Sequence, residues 1–435
     1  MRTLGYYSTI ARLAPGGLAR GMARRVQGVA RQALYRRRER LEEPRLLEAF
    51  GASTSEELAE RALSSRPGGA WCEVRQRSSL LEALAELPGA GERALERARA
   101  ALRGEYDVFG TRVCFGEGQP VDWSRDPVSG YRYPVVPVEQ LRLERPGVDP
   151  KFPWVIGRLD CLVALGQGYW AERGEEARRG FARAFVARTL DFLQANPVGQ
   201  GVHWTCGMEV ALRAANLAQA LVMFSDAPEA RRPEFLVPVL ESLAEHTAWV
   251  EAHLEDKGAV PNNHLVSNYV GLLVTGLLFP ELPDAPRQVA RAVAGLRTQM
   301  AAQVHAEGTS FEGSVPYHRL SVELFTLALV VARGQGVDLG ARYAARLHRM
   351  YEASRAWKPP SGGWRRRWAT TTRAASSPSR SGIHASRATS HRWERPSSVT
   401  RSWRRDPSRT RPPGCSDCRV SNPSGVCPRR GPRAR

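Results

Sequence analysis

Strand-like alternation is nearly absent from Lys151 onward in this 435-residue chain, which argues against a sheet-built core there. Long apolar runs are missing too. The stretch VGLLVTGLLF, from Val270 to Phe279, is too short and too polar at its ends for the ~20 residues that a bilayer-spanning helix needs, so no membrane span is expected. No continuous apolar core of about 7 to 15 residues follows the first positive charges; a Sec signal is not evident, and a cytoplasmic location is the expectation. Cysteine is sparse. Cys72, Cys114, Cys161 and Cys206 are widely separated with no metal-ligand spacing, which reads as buried thiols. Cys415-x-x-Cys418 with Cys427 lacks a fourth ligand, so no metal is assigned.

The C-terminal stretch lacks most. From Trp364 to Arg435 there is no Leu, Phe, Tyr, Met or Lys, while Arg, Ser, Pro and Thr dominate. Such a segment cannot bury a core, and a disordered tail is expected over residues 359–435. It holds eighteen Arg against three acidic residues, so most of the formal net charge of +19 lies there and the body is nearly balanced. One reading is a basic tail that binds nucleic acid non-specifically. The other is a change of reading frame near Gly363.

What is present is helical. Residues 1–104 form an N-terminal helical region in which RRVQGVARQALYRRRERL reads as an amphipathic helix with solvent-facing Arg. Residues 105–150 are an aromatic, turn-rich linking segment. Within it FGTRVCF suggests a short strand, and Trp123, Tyr131 and Tyr133 either cover the end of the helical domain or offer sugar-stacking faces, packing being the simpler account. From Lys151 the pattern is persistently helical to residue 358. Phe181, Phe185 and Phe192 mark one apolar face, and Met208, Ala211, Leu212, Ala215, Ala218 and Val222 the next. Helices alternating with short loops imply helix packed on helix, an all-α fold.

Two polar loops each open a helix. Pro261-Asn262-Asn263-His264 precedes Val266, Val270, Leu273 and Leu277, and EGTSFEGSVPYHR (Glu307 to Arg319) precedes Leu320, Leu324, Leu327 and Val331. In the second loop Ser314 suits an N-cap and Pro316 the first turn. That sets Tyr317 near the positive end of a helix dipole, where a phenolate is less costly and a proton can be exchanged. The same residues also fit a plain core arrangement, a buried Tyr bonded to a carboxylate beside a backbone-satisfied His.

Three stretches, GVHWTCGMEVALRAANL (Gly201 to Leu217), NNHLVSNYVGLLVTGLLFPEL (Asn262 to Leu282) and AEGTSFEGSVPYHRLSVELF (Ala306 to Phe325), together resemble the N-terminal helical domain of the heparinase II/III family of polysaccharide lyases and occur in that family's order. Trp123 followed by Asp126-Pro127 and Gly130 is compatible with it. The resemblance implies an incomplete (α/α) toroid over residues 151–358 and β-elimination at uronic acids of an acidic polysaccharide, with no cofactor. It gives Asn263 the sugar carboxylate and makes Tyr317 the catalytic acid, with the base role open to it. His264 and His318 join them as catalytic candidates that either share the proton work or fix their loops. Trp204, Glu209, Arg213, Asn262 and Glu312 are the substrate-binding candidates. Glu209 and Arg213 also have the i, i+4 spacing of an ion pair, and Glu312 either orients Tyr317 or His318 or pairs with an Arg.

The family continues past Gly363 with a Gly-Asp-x-Asp-x-Gly-Arg type of stretch and a β-rich domain that supplies a further catalytic His, and its members are often periplasmic. Thr370, Thr371 and Thr372 have codons beginning AC, so a frame displaced by one base holds three codons ending in AC, which encode only Tyr, His, Asn or Asp. With suitably chosen codons WRRRWATTTRAA becomes VAAQVGDNDSGR. The expectation is a lyase that is weak or inactive as written. The alternatives are a carbohydrate-binding or structural helical module without turnover, and a basic-tailed nucleic-acid binder.

Overall fold

Alanine, leucine and phenylalanine at three- and four-residue spacing, punctuated by Gly and Pro, set the helices of this chain. The computed structural model describes residues 17–38, 41–64, 72–256 and 262–357; the expected disordered tail and the frame change lie outside the described residues. The N-terminal part contributes α1 (Gly17–Arg37), α2 (Glu43–Phe50), α3 (Ser55–Ala62), α4 (Arg77–Ala85) and α5 (Ala90–Leu102). A hairpin of β1 (Glu105–Val108) and β2 (Thr111–Cys114) follows, antiparallel with Glu105 opposite Cys114. The remaining helices are α6 (Lys151–Ile156), α7 (Asp160–Ala171), α8 (Glu175–Ala195), α9 (Gly207–Met223), α10 (Pro233–Ala252), α11 (Asn263–Leu278), α12 (Ala285–Gln303), α13 (Val315–Gly334) and α14 (Ala341–Ala356).

These helices form two rows. In one, α5, α7, α9, α11 and α13 pack each on the next; behind it, α8, α10, α12 and α14 each pack on the helix that precedes them in the chain. The helices α1, α2 and α3 all lean on α10, and one apolar core runs from Leu41 to Met350. Packing continues across residues 104 and 150: α5 sits on α7, and the hairpin bridges α5 and α6.

The central helices α9 and α11 are buried on almost every side, as their apolar composition requires. They approach closely at Gly271, where a Cβ would lie 2.6 Å from the Ala211 carbonyl oxygen. A glycine inside a helix costs about 1 kcal/mol against alanine, and here the close contact offsets it. By length and composition α13 is apolar enough to cross a bilayer, yet it packs against α11 and α14 with Phe325, Ala328 and Val331 buried.

The aromatic segment is packing material. Trp123 and Tyr133 are buried, Trp123 donates its indole N–H to Asp191, and Tyr131 meets Tyr133 edge-on under the Arg145 guanidinium. Buried Asp126 staples the turn by accepting bonds from the backbone of Val128 and Asp149 and from the Ser129 hydroxyl. Of the four cysteines in the body, Cys72, Cys161 and Cys206 are buried and Cys114 is half-buried, and among the described residues none forms a disulfide.

Candidate functional site

The two polar loops meet. Gln303, at the end of α12, donates its side-chain amide to the Asn262 carbonyl, and Asn262 caps α11 by accepting the His264 N–H at 3.0 Å. The loop from Val304 to Ser314 then runs alongside the start of α11, closed by pairing of Val304 with Ser310. There Glu312 is gripped by two nitrogens of Asn263: the backbone amide at 2.9 Å, and the side-chain amide at 2.8 Å to one carboxylate oxygen and 2.9 Å to the other. Among the described residues the hydrogen-bond partner seen for Glu312 is thus Asn263, at a helix N-terminus, rather than Tyr317, His318 or an Arg. Asn263 is buried, and Glu312 is half-buried.

The same loop leads into α13, whose first turn carries Tyr317 and His318. Ser314 stands at the N-cap and Pro316 in the first turn, as expected, although the Ser314 hydroxyl makes no capping bond. Tyr317 is half-buried. His318 is only 1% exposed: its Nδ1 accepts the Ser310 N–H at 3.2 Å, and its Nε2 lies 3.0 Å from the Ser354 hydroxyl and 3.2 Å from the Met350 carbonyl. Burial holds its pKa below the ordinary imidazole value. Successive helical residues point about 100° apart, so adjacency in sequence separates these side chains in space. His318 clamps its loop to α14.

His264 belongs to a second cluster that no motif announced. Its Nδ1 lies 2.9 Å from a carboxylate oxygen of Glu255, a residue just past α10. The other Glu255 oxygen accepts the Met208 N–H at 2.7 Å, capping α9 from outside, and the Asn268 amide at 3.3 Å. Burial opposes the imidazolium, but the bond to Glu255 and the charges of Glu255, Glu209 and Glu312 outweigh it and raise the His264 pKa. Cys206 completes the group, its Sγ 3.7 Å from Glu255 and 3.9 Å from His264.

Three binding candidates change role. Trp204 is buried, with its indole N–H on the Asn196 carbonyl and its ring against Trp249 and His246, so no sugar can reach it. Arg213 is fully buried and does not pair with Glu209. It donates to His246 Nε2 at 2.8 Å and to the carbonyls of Gly157 and His203 at 3.1 and 2.9 Å, beneath the rings of Phe192 and Trp204. Desolvation lowers its pKa to about 9. Glu209 instead receives a two-pronged bond from Arg158 at 2.6 and 2.8 Å. The i, i+4 spacing misled because the interior offered each residue a better-oriented partner from another segment.

A cavity of about 660 Å³, lined among others by Arg38, Arg45, Glu281 and Gln288, lies near α10 and α12 and includes none of the polar-corner residues. Sequence reasoning missed Glu255, Cys206 and Arg158. No local signal marks them, since each acts on a partner at least nine residues away.

Comparison with known proteins bears on this arrangement. A family model described as Heparinase II/III N-terminus matches residues 83–362. A heparin-sulfate lyase of Pedobacter heparinus is 28% identical over 188 residues, covering 42% of this chain and 27% of that protein. A heparin-sulfate lyase of Bacteroides stercoris is 21% identical over 243 residues, covering 51% and 32%. The crystal structure of a heparan sulfate lyase from Pedobacter heparinus is similar at 23% identity with a TM-score of 0.41, covering 62% of this chain and 39% of that one. The matched part thus spans less than a third of the length of either curated relative.

Proposed function

This chain belongs to the heparinase II/III family, and from that membership we propose that it is the helical part of a polysaccharide lyase acting on uronic acid residues of an acidic polysaccharide. In this reading the two rows of helices are an incomplete (α/α) toroid, and the polar corner at the start of α11 receives the sugar. A base removes the C5 proton. The electron pair then forms the C4–C5 double bond as the bond from C4 to the glycosidic oxygen breaks, and an acid protonates the departing oxygen.

The observation that carries the reading is the grip on Glu312. The backbone and side-chain amides of Asn263 at a helix N-terminus already hold a carboxylate, which is the task the elimination demands: dispersing carboxylate charge as C5 loses its proton. A uronate would exchange with Glu312 for these donors. Tyr317, five residues on and half-buried, serves as acid, and as base where the geometry of the sugar brings C5 to the same hydroxyl. His264 lies next to Asn263 in this corner, held by Glu255. His318 is assigned to holding the loop.

The commitment of Asn263 to Glu312 also favours a second reading, a carbohydrate-binding helical module without turnover. Appearance of unsaturated uronate absorbance over a panel of uronate-containing polymers separates the two. We expect little or none from the chain as written, and clear activity from a version in which the frame after Gly363 is restored, because groups acting as a unit lose most of their effect when one is missing. In the restored version Tyr317→Phe and Asn263→Ala are each expected to lose about 100-fold or more in kcat/KM. Equal activity from both versions would mean that the residues encoded after Gly363 are not needed for turnover. Silence from both, with both folded, would favour the binding module.

A further inference from the structure

The cluster of Cys206, Glu255 and His264 is more than the lyase reading needs. Cys206 occupies the N-cap position of α9, where Ser, Thr, Asp or Asn is the usual choice, and the Met208 N–H of the first turn is bonded by Glu255 from another segment. The thiol is turned toward the Glu255 oxygen that faces His264. One sulfur, one imidazole nitrogen and one carboxylate oxygen all lie within 4.8 Å of one another.

We propose that these three side chains form a binding site for a divalent cation of the zinc class. Bonds of about 2.3 Å to sulfur and about 2.0–2.2 Å to nitrogen and oxygen, at tetrahedral angles, give ligand-to-ligand edges of roughly 3.3–3.6 Å. The observed edges are 3.7 Å from sulfur to oxygen, 3.9 Å from sulfur to nitrogen and 2.9 Å from nitrogen to oxygen. Adjustments of a few tenths of an ångström, with the histidine–carboxylate hydrogen bond opened, convert the triangle into three corners of a tetrahedron.

The surroundings suit a cation. The second Glu255 oxygen is fixed by the Met208 N–H and the Asn268 amide, leaving the first aimed at the cluster, the kind of outer support that orients a metal-bound carboxylate. Thiolate and carboxylate together neutralise a divalent charge, and a sulfur–nitrogen–oxygen donor set selects zinc or cobalt over calcium or magnesium. Cys206 is buried while His264 and Glu255 keep 37% and 27% side-chain exposure, so solvent can supply a fourth ligand. The site joins the start of α9, the segment after α10 and the start of α11. Sequence spacing concealed it because its ligands come from three separate segments.

The test uses the full chain, stripped with chelator under reducing conditions and titrated with cobalt(II) and then zinc(II), without polysaccharide. A thiolate-to-cobalt charge-transfer band saturating at one equivalent, displaced by zinc, is expected. It should vanish in Cys206→Ser and survive in a Cys415→Ser/Cys418→Ser double variant, with Glu255→Gln weakening cobalt binding about 10-fold or more. Circular dichroism of each variant checks that the fold is intact. No band, or a band lost only with the tail cysteines, overturns the proposal. Because no substrate is present, the outcome is independent of whether the chain is a lyase.

Discussion

Two corners of this molecule use nearly the same residue types to opposite ends. Around Arg213, two histidines and a tryptophan are sealed in the core; around Asn263, one histidine and several carboxylates stand half-open at the starts of α9 and α11. In the sealed corner His203 and His246 are fully buried, and desolvation, reinforced by the Arg213 charge, lowers each pKa to about 3. In the open corner Glu255 raises that of His264. The lesson is that a histidine in a family motif carries no fixed role. Whether it meets a carboxylate or a guanidinium decides its charge, and exposure decides whether anything outside can use it.

The sealed corner should fail first under acid. Both histidines titrate near 6.5 when unfolded and near 3 when folded, so the folded state resists protonation; their contribution to stability is complete above pH 6.5 and is lost as pH falls toward 3. Each costs about 1.4 kcal/mol per pH unit below 6.5, so lowering the pH from 7 to 4.5 should remove roughly 5 kcal/mol. Urea unfolding across that range measures it. A flat profile between pH 6.5 and 4.5 would mean that the two imidazoles are not sealed.

Arg213→Met comes next. It leaves the Gly157 and His203 carbonyls and His246 Nε2 without their donor, and about 3–4 kcal/mol of stability should be lost, read as a fall in the urea midpoint at pH 7. A loss below about 1 kcal/mol would show that water or rearrangement replaces the guanidinium easily. Gly157→Ala probes the same knot through sterics. A Cβ there would sit 2.2 Å from His203 Nδ1, a buried atom without a hydrogen-bond partner, and a cost of about 1–3 kcal/mol is expected in thermal unfolding.

The open corner should barely register. Tyr317 is half-buried, and Tyr317→Phe should leave stability within about 0.5 kcal/mol of the parent in urea unfolding. Destabilisation of more than about 1.5 kcal/mol would make Tyr317 a structural residue and dissolve the contrast between the corners.

The helical class, the order of the central helices and the two polar loops were legible in the chain itself, because helix formation depends on periodicity and local punctuation. The apolar stripe of α9, the phenylalanines of α8 and the start of α13 at Ser314-Val315-Pro316 all lie where residue spacing sets them. Burial of Trp123 and Tyr133 followed from their bulk. Partnership did not follow. Glu209 took Arg158 instead of Arg213, Glu312 took Asn263 instead of a cation, and His318 turned to Ser310 and α14. The Cys206–Glu255–His264 cluster had no sequence trace at all. Electrostatic and hydrogen-bonding choices are made among whatever groups packing brings within about 3 Å, and segments distant in sequence supply most of those groups. The sequence by itself determined which segments would be helical and where polar loops would open them; the tertiary structure alone decided which charges met and which histidine stayed open to solvent.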